Sequence, residues 1–159
     1  MKKEINKKIC FCIAFVFLVL LSLLLIFGKH TTVCTLKSDQ SINEYVLNTT
    51  YTIIYQRNIV KKIKIHEVVQ GDSDTVLNRF ETEWKDNYEY LNKSFGGYTY
   101  KITKKNKKII SDVVVDYEKL NLKKFLRINE AMKEFSNEKG QITIKGIKSM
   151  YEQSGAVCK

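Results

Sequence analysis

Residues 45–69 read YVLNTTYTIIYQRNIVKKIKIHEVV. Tyr45, Leu47, Tyr51, Ile53 and Tyr55 fall on alternate positions, with Thr49 in the same row. A two-residue period of this kind places one set of side chains on one face of a strand. After Arg57-Asn58, where Asn suits a left-handed turn position, the alternation resumes. Ile59, Ile63, Ile65 and Val69 share one face, while Lys62, Lys64 and His66 share the other. The two runs predict a long hairpin with one buried face.

Toward the C-terminus, Asp72-Ser73-Asp74 supplies N-cap chemistry, with acidic charge at the positive end of a helix dipole. Val76, Leu77, Phe80, Trp84, Tyr88 and Leu91 follow at helical spacing, and Gly96-Gly97 ends the helix. A second hairpin comes next. Tyr98, Tyr100 and Ile102 alternate, the lysine-rich tip over 104–108 is surface, and Ile109, Val113, Val115 and Tyr117 alternate back. Leu120 to Phe135 reads as a second helix, with Leu122, Phe125, Leu126, Met132 and Phe135 inward. Thr143 is placed to cap a third helix carrying Ile144, Ile147 and Tyr151, with Gly155 just past its end. Gly146 weakens that helix by about 1 kcal/mol of propensity. The expected class is α+β: antiparallel hairpins forming a sheet, with two to three helices packed on it.

Toward the N-terminus, the run from Ile9 to Phe27 (ICFCIAFVFLVLLSLLLIF) carries no charge. As a helix it covers about 28 Å, close to the ~30 Å hydrocarbon core of a bilayer. Lys2, Lys3, Lys7 and Lys8 precede it, with only Lys29 and Lys37 close behind, so the positive-inside rule keeps the N-terminus in the cytoplasm. The chain is thus expected to divide into a cytoplasmic basic tail (1–8), a transmembrane helix (9–28) and an extracytoplasmic domain (29–159). A cleaved signal peptide shares the basic start, but its apolar region is shorter, and Phe27 to Val33 offers no Ala-x-Ala pattern. Lipidation needs a small residue before a cysteine at the end of the apolar run; Cys34 follows Val33, well past Phe27.

The chain holds 27 Lys+Arg against 17 Asp+Glu. Inside a cell that balance would invite nucleic acid. Outside, the partners to expect are anionic wall polymers or lipid head groups, and nucleic acid is not one of them. Lysine is spread throughout, alongside Ile and Asn and with no Pro, so much of the charge is plain solvated surface. Cys10 and Cys12 sit in the anchor, point to different faces and lack further ligands. Cys34 and Cys158 are the only cysteines of the exported part and bracket it in an oxidising compartment, so a disulfide between them is expected.

Catalytic candidates are few. His30 and His66 are the only histidines, and neither has a second His or a free Cys at ligand spacing, so no metal is expected. Asp112 and Asp116 share a strand face about 13 Å apart, too far for a carboxylate dyad; Lys101 or Lys64 are their natural cross-strand partners. Asp72 and Asp74 resemble a fragment of a calcium loop, without its Gly and distal Glu in place, and read as capping residues. No P-loop, dinucleotide fingerprint or nucleophile elbow is present, and no cofactor is expected. Gly96-Gly97-Tyr98 is a turn. The aromatics Tyr45, Tyr51, Tyr55, Tyr88, Tyr98, Tyr100, Tyr117 and Trp84 could line a groove, but aromatics at such spacing are first of all core.

From about Tyr51 onward the exported part resembles the YehR-like family of small bacterial envelope lipoproteins. The residues that carry the likeness are Ile59-Val60-Lys61-Lys62-Ile63-Lys64, the aromatic and glycine stretch from Tyr88 to Tyr98, Val113-Val114-Val115-Asp116-Tyr117, and the closing run from Gly146 to Ala156. The resemblance implies an α+β domain at the outer face of a membrane and brings no catalytic residues. This chain departs from it in lacking a lipidated cysteine and in carrying Cys34 and Cys158. The function to expect is a non-catalytic, membrane-anchored module that binds an envelope protein or wall polymer. The alternative is an envelope hydrolase or transferase using Asp112, Asp116 or Asp72 as acid.

Overall fold

The structure, a computed structural model of the chain, describes residues 17–19, 28–40 and 45–159. Residues 17–19 are helical, and among the described residues no helix is long and apolar enough to cross a membrane. Most of the tail and anchor expected over 1–28, with Cys10 and Cys12, lies outside the described residues.

The expected hairpins are both present. β2 (Tyr45–Gln56) and β3 (Ile59–Gly71) meet at Arg57-Asn58, and β4 (Tyr98–Lys105) and β5 (Lys108–Asp116) at Asn106-Lys107. All four turn residues have positive φ, between 48° and 67°. Two-residue turns of that hand match the twist of the strands they join. β1 (His30–Gln40), whose sequence shows little alternation, is recruited to the edge of β2, and β6 (Val157–Cys158) pairs with β1. The result is a six-stranded antiparallel sheet in the order β4-β5-β3-β2-β1-β6.

The odd-numbered face of β2, β3 and β5 is buried, as the alternation requires, with one shift. The β2–β3 register slips between Ile54 and Tyr55, and Val60 rather than Ile59 enters the core. Ile53, Ile63, Val113 and Val115 pack there against helical residues.

α1 (Asp74–Phe95) begins at Ser73, whose hydroxyl accepts the Val76 N–H, and ends at Gly96. The run expected as one second helix is two. α2 (Leu122–Ile128) stops at Asn129, whose side-chain amide donates to Phe125 O, and a short 3-10 helix follows over Glu130–Phe135. An amide that bonds back to the last turn competes with the next helical hydrogen bonds. α3 (Ile144–Gln153) starts at Thr143, whose Oγ1 accepts the Gly146 N–H at 3.0 Å.

Candidate functional site

The disulfide is the most local feature. Val33 and Lys159 exchange both backbone hydrogen bonds, which makes the adjoining Cys34–Cys158 couple a non-hydrogen-bonded pair, the position where facing side chains stand closest. The two cysteines are bonded there, Cys34 fully buried on the helix-covered face.

The register of three strands sets up an unexpected polar row inside the core. Thr49 faces Glu67, and Glu67 faces Ser111. All three point toward the helices, and Thr49 and Ser111 are buried. Above the row the Tyr88 hydroxyl donates to the Glu67 carboxylate at 2.6 Å. The row separates two apolar clusters. Val69, Leu77 and Ile109 lie on one side; Ile63, Val113, Phe95 and the remaining core lie on the other. Trp84 packs against both. Burial pushes Glu67 above the ordinary glutamate value, against the pull of the Tyr88 and Ser111 hydroxyls and the nearby His66. Burial also raises Tyr88 and Tyr51, and the Glu67 charge raises both further. The Ser111 hydroxyl lowers Glu67 by proximity, yet it makes no hydrogen bond of good geometry. The signal for this row was available: Glu67 stands at an odd position between Ile65 and Val69, on the face that alternation assigns to the core.

The catalytic candidates lie elsewhere and apart. Asp112 and Asp116 are on the uncovered face of β5, across from His66 and Lys62. Of the expected partners, Lys101 does stand directly opposite Asp112 on β4, on the other side from His66, while Lys64 faces Thr52 and Val114 instead. Asp112 meets His66 Nδ1 at 2.7 Å, and Asp116 meets Lys62 at 3.3 Å. Burial pushes Asp116 up, but Lys62 and the Glu118 backbone N–H outweigh it and hold the carboxyl below its usual range. Asp72 binds Lys107 at 2.7 Å, which lowers its pKa, and Asp74 binds Lys104 at 3.1 Å. The His30 ring rests against Tyr55. Among the described residues no group of three His, Cys, Asp or Glu is placed to hold a metal ion.

The aromatics divide between the sheet and the helices that cover it. Tyr51 stacks on Tyr151 at 3.9 Å, Phe95 meets Phe125 edge-on, and Tyr45, Phe80 and Trp84 follow one another at edge contacts. Tyr51, Tyr151, Phe95, Phe125, Phe80 and Trp84 pack in or against the core, while Tyr45 also borders a concavity beside Gln70 to Ser73. Another concavity, of about 970 Å³, lies between α2 and the turn at 136–141, with Lys123, Arg127 and Lys139 around it. The sequence shows these cations but not that they converge.

This geometry defines a one-sided antiparallel sheet with all its major helices on one face, clasped at its edge by a disulfide. Two solved structures share the fold. The NMR structure of the Escherichia coli YehR protein superposes with a TM-score of 0.55 at 17% identity, covering 82% of this chain and 92% of that one. The NMR structure of a Streptococcus pneumoniae TIGR4 protein gives 0.51 at 18% identity, covering 83% and 86%. The chain therefore has a YehR-like fold, and at such identities the likeness concerns fold alone. No protein-family model and no curated protein sequence matches the chain.

Proposed function

We propose that the chain is a membrane-tethered, extracytoplasmic module of the bacterial envelope that binds another envelope protein and carries out no chemistry itself. The observation that carries this reading is the uncovered face of the sheet. Among the described residues, the helices from Asp74 onward pack on one side only, and the other presents rows such as Thr52, Lys64, Val114 and Thr99, or Asn48, Val68, Ile110 and Thr103. Val68, Ile110 and Val114 are only half-buried there. Apolar side chains interleaved with threonine and charge have the composition of a non-obligate protein interface. The hydrolase alternative needs two carboxylates side by side. Asp112 and Asp116 stay four positions apart on one strand, Asp112 bonded to His66 and Asp116 to Lys62.

A photo-crosslinking residue placed at Thr52 or Thr99 in cells is expected to trap one defined protein, while the same residue at Arg79 on the outer surface of α1 does not. Equal labelling from both surfaces would refute the binding face. Loss of a growth phenotype-complementing activity in an Asp112→Asn or Asp116→Asn variant with normal crosslinking would instead favour the enzyme.

A further inference from the structure

The groove between α2 and the turn at 136–141 combines an apolar floor with a rim of five cations and one carboxylate, Glu138. Leu122 and Leu126 form the floor, and the backbone of Gly140 passes beside Leu126. Of the rim cations, Lys124 is held by Ser94 O and Lys133 by Glu130. Lys123, Arg127 and Lys139 make no ion pair among the described residues. Lys139 is not left loose on its loop. Asn137 Oδ1 accepts the backbone N–H groups of both Lys139 and Gln141, which fixes the turn that carries it.

The place of the groove in the fold names its occupant. β1 begins at His30, opposite Tyr55 and beside the Arg57-Asn58 turn. Asn58 O accepts the Ile144 N–H, and the Val60 N–H donates to Ile142 O. The segment that closes the groove, ending at Gln141, is therefore fastened to the end of the sheet at which β1 starts. On its other side Asn121 donates to Phe95 O, next to the start of β4. The chain thus enters the fold at the end that carries the groove, directly after the uncharged run from Ile9 to Phe27.

We infer that this groove seats an anionic phospholipid of the membrane to which the chain is tethered, the phosphate on the rim and the glycerol and upper acyl atoms on the leucine floor. The inference rests on the tethered reading above. A soluble polyanion would satisfy the rim but leave the floor without a partner, and an apolar floor reached from a bilayer surface is what a lipid supplies. Each cation near such a surface adds roughly fivefold to the association.

The test is amide hydrogen exchange on the full chain in nanodiscs of phosphatidylcholine, with and without phosphatidylglycerol. Residues 122–141 are expected to exchange more slowly in the anionic discs, with no change at the Asn106-Lys107 turn at the far end of the sheet. Lys123→Gln, Arg127→Gln and Lys139→Gln together should abolish that protection with the melting temperature unchanged. Equal exchange in both lipids overturns the proposal. So does protection that arises in neutral discs only when poly(glycerol phosphate) is added, which would assign the groove to a wall polymer. If the chain does not stay in the discs, the tether fails rather than the groove. The same lipids as vesicles then decide: cosedimentation with anionic vesicles alone keeps the groove, and none refutes it.

Discussion

At the scale of single residues, Glu67 is the side chain whose environment departs furthest from its chemistry. It sits between two apolar clusters, flanked by Thr49 and Ser111, with one strong donor, the Tyr88 hydroxyl at 2.6 Å. Its pKa is raised above the ordinary value of 4.5, so the folded state holds this proton more tightly than the unfolded chain does. The stability it contributes is then fully present below pH 4.5 and is lost as the pH rises through the folded pKa. Glu67→Gln should remove that loss, leaving the variant as stable as the parent in acid and more stable at neutral pH. Urea denaturation across the pH range checks it; parallel profiles for the two proteins would contradict the assignment. Tyr88→Phe strips the donor from a half-buried carboxylate and should cost about 1–2 kcal/mol at pH 7. In the Glu67→Gln background the cost should shrink, and a double-mutant cycle measures the difference.

At the scale of elements, two glycines set how closely neighbours approach. Gly146 lies in the first turn of α3, and a Cβ there would run into the Phe135 backbone. What the sequence presents as a propensity defect is thus the condition for α3 to dock on the 3-10 helix. Gly146→Ala should destabilise by about 1–3 kcal/mol through overpacking, in spite of the ~1 kcal/mol gained in helix propensity. Gly97, at φ +77°, joins α1 to β4, and a Cβ would stand 2.7 Å from Asp116 O. Gly97→Ala should be the more damaging of the pair, because it adds backbone strain to the clash. Thermal melts of the two variants rank them, and a Gly146→Ala protein more stable than the parent would refute the docking argument. The split of the second helix belongs here too. Its apolar spacing predicts one continuous helix, and Asn129 ends it by a hydrogen bond that no periodicity count registers.

At the scale of the whole molecule, the Cys34–Cys158 bond closes a loop with a sequence separation of 124. In the chain-entropy treatment a loop of that size contributes up to about 5 kcal/mol. The double variant Cys34→Ala/Cys158→Ala should lose most of that, as should the reduced parent. Urea titrations with and without reductant should then differ for the parent and coincide for the variant. A parent indifferent to reductant would mean that the sheet edge holds without the bond. β6 gives the reason to expect otherwise, since it has only two residues with which to keep the C-terminus on β1.

The sequence by itself determined both hairpins, the long helix with its cap, the third helix and the cysteine pairing. Each rests on rules that need no tertiary structure: alternation, capping chemistry, turn residues and the count of cysteines outside the apolar run. Only the tertiary structure decided the recruitment of β1, the strand order, the polar row through Glu67 and the convergence of Lys123, Arg127 and Lys139 on one groove. Those features come from residues far apart in the chain, brought into register by strand pairing and helix docking. A local pattern fixes which face a side chain takes; what stands across from it depends on the partner strand and its register.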